Sequence, residues 1–180
     1  MLAAVPIVML VGPSGVGKTS FGRHLAAHLD VPLYSSDQRM VALHGPTPPA
    51  DQFAALQKAV RDQIWEEVAK GAQQRRGAVL DLGFWTKAGR QRSWDRIAAL
   101  HCLDIVIEVT CDPDTSRQRV LSRTARQDKD QLAIDDAALD RFADMWEPLE
   151  DGEAHFSIDG TKPPEQQMQD YRILIRSGLV

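Results

Sequence analysis

The segment Gly12-Pro-Ser-Gly-Val-Gly-Lys-Thr19 decides the fold, because it fits the pattern G-x-x-x-x-G-K-[ST]. It follows an apolar run over residues 5–11, which predicts a strand buried on both faces. It precedes residues 20–29, where apolar side chains recur at helical spacing. A glycine-rich loop between a strand and a helix offers backbone N–H groups and the positive end of the helix to a phosphate. The segment therefore predicts a phosphate-binding loop in an α/β protein.

The residue types of this phosphate loop (residues 12–19) indicate a nucleotide. Lys18 is expected to neutralise the β- and γ-phosphates, and the Thr19 hydroxyl to bind Mg²⁺. ATP and Mg²⁺ are thus the predicted cofactors. The residues expected to surround the nucleotide phosphates are Gly12, Pro13, Ser14, Gly15, Val16, Gly17, Lys18, Thr19 and Ser20.

The rest of the chain alternates short apolar runs with longer amphipathic stretches, which predicts βαβ units and a parallel sheet. Further strands are expected at residues 33–36, 78–82, 102–110 and 155–158. Further helices are expected at residues 51–74, 87–100, 112–127, 135–146 and 164–176, with Asp51 and Asp112 as caps of the first and third of these. Five strands with crossover helices make a three-layer α/β domain, and 180 residues fit one such domain.

Composition excludes several classes of protein. Hydrophobic residues at 43% and charged residues at 26% are ordinary for a globular chain. A net charge of −4 disfavours sequence-independent nucleic-acid binding. The two cysteines, Cys102 and Cys111, are too few for a disulfide framework. The apolar start lacks a basic segment and a cleavage site, and no run reaches the length of a membrane span, so a cytoplasmic location is expected.

Two acids stand at the ends of predicted strands. Asp37 ends the second strand, and ligands of open α/β sheets bind at the carboxyl ends of the strands. We expect its carboxylate to take a proton from a substrate hydroxyl. Asp81, at the end of the third strand, is expected to hold Mg²⁺ through water or to contact the substrate. Which of the two acids is the base stays open at this point.

Other polar and aromatic residues near these acids are candidates for substrate contact. Arg39 could hold an anionic or hydroxylated acceptor, and Phe84 and Trp85 could form a wall of the acceptor site. The helix after the fourth strand carries Arg117, Arg119, Arg123 and Arg126, with no acid from residue 116 to 127. The last three arginines share one helix face, which favours a lid that closes on the triphosphate. Arg119 and Arg123 are the expected catalytic pair.

The assembled residues resemble the small P-loop kinases of the adenylate-kinase-like group. In particular they resemble the bacterial AAA-family predicted kinases, relatives of zeta toxin, chloramphenicol phosphotransferase and polynucleotide kinase. The resemblance runs through the phosphate loop, Ser36-Asp37, Leu80-Asp-Leu-Gly-Phe-Trp85, the Arg117 to Arg123 helix and Trp146-Glu-Pro148. It implies the strand order 2-3-1-4-5 and a mobile lid at about residues 115–147. The chain departs from the family pattern at Met40 and Thr124, where arginine and asparagine are frequent.

These features predict an ATP- and Mg²⁺-dependent kinase that phosphorylates a hydroxyl group of a small molecule. The sequence leaves two alternatives open, a 5′-hydroxyl polynucleotide kinase and an ATP-dependent switch that binds a protein partner. A guanine-specific GTPase is disfavoured, because the chain contains no Asn-Lys-x-Asp tetrapeptide. The identity of the acceptor and the oligomeric state are not predicted.

Overall fold

A computed structural model describes residues 5–126, 128 and 131–176 of the chain. The strands are β1 (Pro6–Val11), β2 (Leu33–Ser35), β3 (Ala78–Asp81), β4 (Leu103–Thr110) and β5 (Phe156–Asp159). The helices are α1 (Lys18–Leu29), α2 (Ser36–His44), α3 (Phe53–Gln73), α4 (Lys87–Ala99), α5 (Pro113–Ala125), α6 (Asp136–Met145) and α7 (Pro164–Arg176). The strands pair in parallel in the order β2-β3-β1-β4-β5, which confirms the expected fold class and strand order.

The sheet register brings the functional ends of three strands together. β1 lies at the centre, paired with β3 on one side and β4 on the other. On the outer side of β3, Ser35 of β2 pairs with Asp81. The phosphate loop, the start of α2 and Asp81 therefore meet at one edge of the sheet, since carboxyl ends of parallel strands share an edge.

Alternating side chains of β1 form two cores on opposite faces of the sheet. Ile7, Met9 and Val11 belong to one core, together with the apolar side of α3. Val8 and Leu10 belong to the other, which is completed by α1 and α7. Both sets are fully buried, which explains why β1 is a continuous apolar run.

Two local details differ from the sequence predictions. Residues 36–44 form helix α2, which we did not predict, and Ser35 is its N-cap, accepting a hydrogen bond from the Gln38 N–H at 3.4 Å. The expected cap at Asp51 is wrong, because α3 begins at Phe53 after Gln52 and without a side-chain cap. Within the described part of the chain, none of the helices has the length and apolarity needed to cross a bilayer.

One buried ion pair ties α4 to the segment that follows α6. Arg90 is fully buried, and its guanidinium donates to both carboxylate oxygens of Glu153 at 2.7 Å. The same guanidinium donates to the carbonyl oxygens of Glu147 at 2.8 Å and Pro148 at 3.2 Å. The interaction fixes residues 147–153 against the loop at residues 84–85, whose carbonyls it also approaches.

Replacing Arg90 by Met is expected to lower the free energy of unfolding by about 3–5 kcal/mol, because Glu153 then stays buried without a partner. The double variant Arg90→Met/Glu153→Leu should recover much of the loss. Because Arg90 lowers the pKa of Glu153, the stabilisation should persist from neutral pH down to about 4 and fade below. Urea unfolding measures these differences, with the exposed Arg172→Gln as a control that leaves stability unchanged. Equal stability of Arg90→Met and the unmodified protein would contradict this account.

Candidate active site

A large cleft, roughly 2000 Å³ in volume, opens at the carboxyl ends of β1, β2 and β3. It is lined by the phosphate loop, the start of α2, one side of α3, residues 81–86, and parts of α4, α5 and α6. The volume exceeds that of an ordinary ligand pocket, which is about 300–1,000 Å³, and so leaves room for two ligands. This edge of the sheet is where open α/β folds bind ligands.

Glycines let the phosphate loop pack directly against its neighbours. Gly12 and Gly15 have φ values of +142° and +84°, a backbone conformation that residues with a Cβ atom rarely adopt. A Cβ at Gly12 would lie 2.5 Å from the Val109 carbonyl oxygen, and one at Gly15 would overlap the Ser116 carbonyl oxygen. The loop therefore forms a bare backbone cradle held against β4 and α5.

Lys18 and Thr19 begin α1 directly after this cradle. The Lys18 ammonium donates to the carbonyl oxygens of Gly12 at 2.8 Å and Pro13 at 2.7 Å, which uses two of its three N–H donors. The Thr19 hydroxyl donates to the Asp81 carboxylate at 2.5 Å. Burial lowers the pKa of Lys18, while Asp81 and Asp37 oppose that shift.

Thr19 and Asp81 fit a magnesium ion. Hydroxyl and carboxylate oxygens are the hard ligands that Mg²⁺ prefers, and here they lie in contact with each other. The described residues contain no group of three or more His, Cys, Asp and Glu side chains placed to hold a metal. The two residues therefore suit a metal that keeps several waters and takes its other ligands from phosphate, which is the usual habit of Mg²⁺.

Asp37 lies in the first turn of α2 and faces the same cleft. Burial raises the pKa of its carboxyl, and the nearby Asp81 raises it further, while Lys18 and Arg123 oppose the shift. A carboxylate whose pKa is raised toward the working pH is a better general base. The arrangement can accept a proton beside the phosphate loop.

Arg119 and Arg123, both on α5, have different surroundings. Arg123 joins the charge cluster: burial lowers its pKa, and Asp37 and Asp81 oppose the shift. Arg119 instead donates to the carbonyl oxygens of Gly160 at 3.1 Å and of Gly15, in the phosphate loop, at 3.5 Å.

Arg117 and Arg126 pair with acids outside the reacting cluster. Arg117 lies between Asp136 at 2.7 Å and Asp140 at 2.8 Å, which joins α5 to α6. Arg126 lies 3.3 Å from Asp128. Arg119, Arg123 and Arg126 line the cleft and Arg117 does not, as their helix spacing indicated.

The structure places Arg39 outside the cleft, contrary to the expected substrate contact. Its guanidinium pairs with both carboxylate oxygens of Glu67, at 2.7 and 3.0 Å. The cause is helix α2: residues two apart on a helix point to nearly opposite sides, so Arg39 turns away when Asp37 faces the cleft.

Phe84 and Trp85, the aromatic residues expected to form a wall of the acceptor site, line the cleft. Phe84 is 5% exposed and belongs to the core, with an edge on the cleft. Trp85 packs edge-on against Phe142 of α6, with ring centroids 4.6 Å apart. Trp85 thus joins the end of β3 to the lid region.

Sequence reasoning missed Arg61, which extends from α3 into the cleft. Its Nη2 group donates to the Gly83 carbonyl oxygen at 3.4 Å, and burial lowers its pKa. The available signal was its position beside the apolar stripe of α3, next to Val60 and three residues before Ile64. A cation at the edge of a buried stripe lies near the core rather than in open solvent.

A protein-family model matches most of this chain. Residues 7–149 match the family AAA_33, which is described as an AAA domain. The chain belongs to this family. The match spans β1 to the segment after α6 and so includes the phosphate loop, Asp37, Asp81 and α5.

The chain is also similar to curated proteins and to solved structures. A shikimate kinase of Alteromonas mediterranea is 28% identical over 163 residues, covering 84% of this chain and 85% of that protein. The shikimate kinase of Burkholderia thailandensis is 29% identical over 160 residues, covering 87% and 82%. A candidate kinase from Chloroflexus aurantiacus superposes with a TM-score of 0.74 at 20% identity, covering 97% and 98% of the two chains. Chaetomium thermophilum Kti12, solved with ADP-AlF3, gives 0.69 at 14% identity, covering 95% and 98%.

Replacing Asp81 by Asn is expected to reduce ATP affinity in the presence of Mg²⁺ by about tenfold or more, because the metal loses a charged ligand. Affinity for ATP without Mg²⁺ should change little. Titration calorimetry with and without Mg²⁺ measures both, and Asp104→Asn, at an exposed position on β4, is the matched control. An unchanged Mg²⁺ effect in Asp81→Asn would contradict the assignment of Asp81.

Proposed function

We propose that this protein is an ATP- and Mg²⁺-dependent kinase that transfers the γ-phosphate to a hydroxyl group of a small molecule. The observation that carries the proposal is the meeting of Lys18, Asp37, Asp81 and Arg123 in one cleft beside a phosphate loop. Phosphoryl transfer needs cations for the moving charge and a base for the acceptor, and both are present.

The proposed step uses each residue for one task. The acceptor oxygen forms a bond to the γ-phosphorus, the bond from that phosphorus to the β–γ bridging oxygen breaks, and ADP leaves with those electrons. Asp37 takes the hydroxyl proton, and Lys18 and Arg123 balance the charge on the transferring group. Mg²⁺ bound by Thr19 and Asp81 would neutralise phosphate charge.

The placement of Arg119 supports a different task from that of Arg123. Its guanidinium contacts the carbonyl oxygens of Gly15 and Gly160, and its charge is not among those that shift the pKa of Asp37. We therefore assign Arg119 to holding the nucleotide and Arg123 to the transfer step. The expectation of two catalytic lid arginines is reduced to one.

The relatives support a small acceptor. Similar proteins include shikimate kinases, a sugar kinase from Janibacter and a gluconokinase from Sinorhizobium meliloti, each named for a small molecule. The identity to these proteins is low, at 28%, 15% and 15%. They support the reaction class, and the acceptor has to be found by experiment.

Replacing Asp37 by Asn is expected to reduce transfer by about 10²-fold or more, because the acceptor loses its base, while ATP affinity stays unchanged. The assay uses γ-labelled ATP, Mg²⁺ and pooled hydroxyl metabolites, antibiotics, nucleosides and 5′-hydroxyl oligonucleotides. Asp104→Asn removes an exposed carboxylate of the same type and should keep full activity. Label found only in free phosphate, and unaffected by Asp37→Asn, would contradict the kinase and favour a switch that hydrolyses ATP slowly.

The transfer rate is expected to rise with pH as Asp37 loses its proton, with a midpoint above the ordinary aspartate value of about 3.9. Because Asp81 raises the pKa of Asp37, Asp81→Asn should move this midpoint to lower pH at saturating Mg²⁺. The pH dependence of kcat measures the shift. A midpoint that stays in place, or rises, would contradict the electrostatic coupling of the two acids.

A further inference from the structure

Arg61 has no carboxylate partner in the described part of the chain. Its guanidinium makes one long hydrogen bond, to the Gly83 carbonyl oxygen at 3.4 Å, and its Nε–H is buried without an acceptor. Several other arginines are held by acids: Arg39 by Glu67, Arg90 by Glu153, Arg117 by Asp136 and Arg126 by Asp128. Arg61 differs from them, since a buried donor without an acceptor is unfavourable.

A second unpaired cation lies close to Arg61. Arg92 of α4 lines the same cleft, and its charge lowers the pKa of Arg61. Arg92 is exposed, and within the described residues it forms no ion pair. One turn further on α4, Arg96 is already engaged, 3.7 Å from Asp62 and 5.3 Å above the Trp65 ring. Arg61 and Arg92 thus line one cleft, and neither is within ion-pair distance of a carboxylate among the described residues.

Arg61 and Arg92 share the cleft with Asp37, the proposed base. The positive charge of Arg61 opposes the rise in the pKa of Asp37 that burial causes. Gly83, which Arg61 contacts, follows Asp81 by two residues in the loop that leads to Trp85. Arg61 therefore contacts the loop after β3 in the cleft that Asp37 also lines, whereas Arg119 contacts the phosphate loop.

We propose that Arg61 and Arg92 bind an anionic group, a carboxylate or a phosphate, on the acceptor whose hydroxyl Asp37 activates. The inference rests on the proposed kinase function and narrows its substrate class to hydroxy acids or phosphorylated alcohols. Arginine presents a planar set of donors that matches the two oxygens of such an anion. The bound anion would supply the acceptor that the Arg61 Nε–H lacks and would offset the repulsion between the two cations.

Anion binding is measured first, without turnover. The protein is saturated with Mg²⁺ and a non-hydrolysable ATP analogue, so that the phosphate loop is occupied, and is titrated with inorganic phosphate and separately with malonate. Trp65 and Trp85 line the cleft and report binding by fluorescence. We expect saturable binding of at least one anion that Arg61→Gln weakens at least tenfold and Arg92→Gln about threefold. The matched control Arg172→Gln, on the exposed side of α7, should bind as the unmodified protein does.

Arg61→Lys separates anion binding from an effect on the base. Lysine keeps the positive charge near Asp37 but loses the planar donor set, so anion affinity should fall while the midpoint of the pH profile stays in place. Equal anion affinity in Arg61→Gln and the unmodified protein would overturn the proposal. So would a variant series in which only the pH midpoint moves.

Transfer assays then distinguish this inference from the kinase function. With γ-labelled ATP, hydroxy acids and phosphorylated alcohols should accept label at least tenfold better than their methyl esters or dephosphorylated forms, and Arg61→Gln should raise KM for the anionic compounds. Transfer to the esters or dephosphorylated forms that is as efficient as transfer to the anionic compounds, with KM for the anionic compounds unchanged in Arg61→Gln, contradicts the anion site and leaves the kinase function standing. Anion binding that depends on Arg61, with no transfer to any compound, supports the site and contradicts the kinase.

Discussion

Five charged side chains, Lys18, Asp37, Arg61, Asp81 and Arg123, line one cleft, and the site depends on the balance of their charges. Burial disfavours the ionised forms of Lys18, Asp37, Arg61 and Arg123, while contacts of opposite sign favour them. The carboxylate of Asp81 adds the second negative charge and binds the Thr19 hydroxyl. Asp37 feels the charge of each of the other four groups, so replacing any one of them is expected to change the pKa of Asp37.

The fold maintains this cluster by fixing the elements around it. β1 and β3 position the phosphate loop and Asp81 through a shared register, and the cradle packs on the carbonyl of Ser116 at the start of α5. Arg117 joins α5 to α6, and Arg90 joins the segment after α6 to the loop that carries Trp85. Residues 115–147 thus contact the phosphate loop through α5 and the loop after β3 through the packing of Phe142 on Trp85.

Local sequence patterns predicted the parts of the site that lie in a short motif or at the end of a strand. The phosphate loop, and acids at strand ends, follow from a motif and from the geometry of parallel sheets, and the structure brings Lys18, Asp37 and Asp81 together. Helix α2 was missed, although Ser35 as a cap and an acid in the first turn were available signals. That omission misplaced Arg39, because its direction depends on helical rotation.

Long-range partners could not be predicted from a single sequence. Arg90 and Glu153 are 63 residues apart and meet only because α4 packs beside the segment after α6. Arg61 looks like one more surface arginine of α3 until the loop after β3 is placed against it. Arg61 is distinguished by an Nε–H that is buried without an acceptor, and burial depends on the whole fold rather than on the local sequence.

The most direct measurement is a crystal structure of the protein with ADP, aluminium fluoride and Mg²⁺, which imitates the transferring phosphate. We expect the fluoride group within hydrogen-bond distance, about 3 Å, of the Lys18 ammonium and the Arg123 guanidinium. Mg²⁺ should lie beside Thr19 and Asp81, and the Asp37 carboxylate should face the open side of the fluoride group, where an acceptor oxygen attacks. A complex in which Asp37 points away from that side, or in which Mg²⁺ lies far from Thr19 and Asp81, would contradict the account.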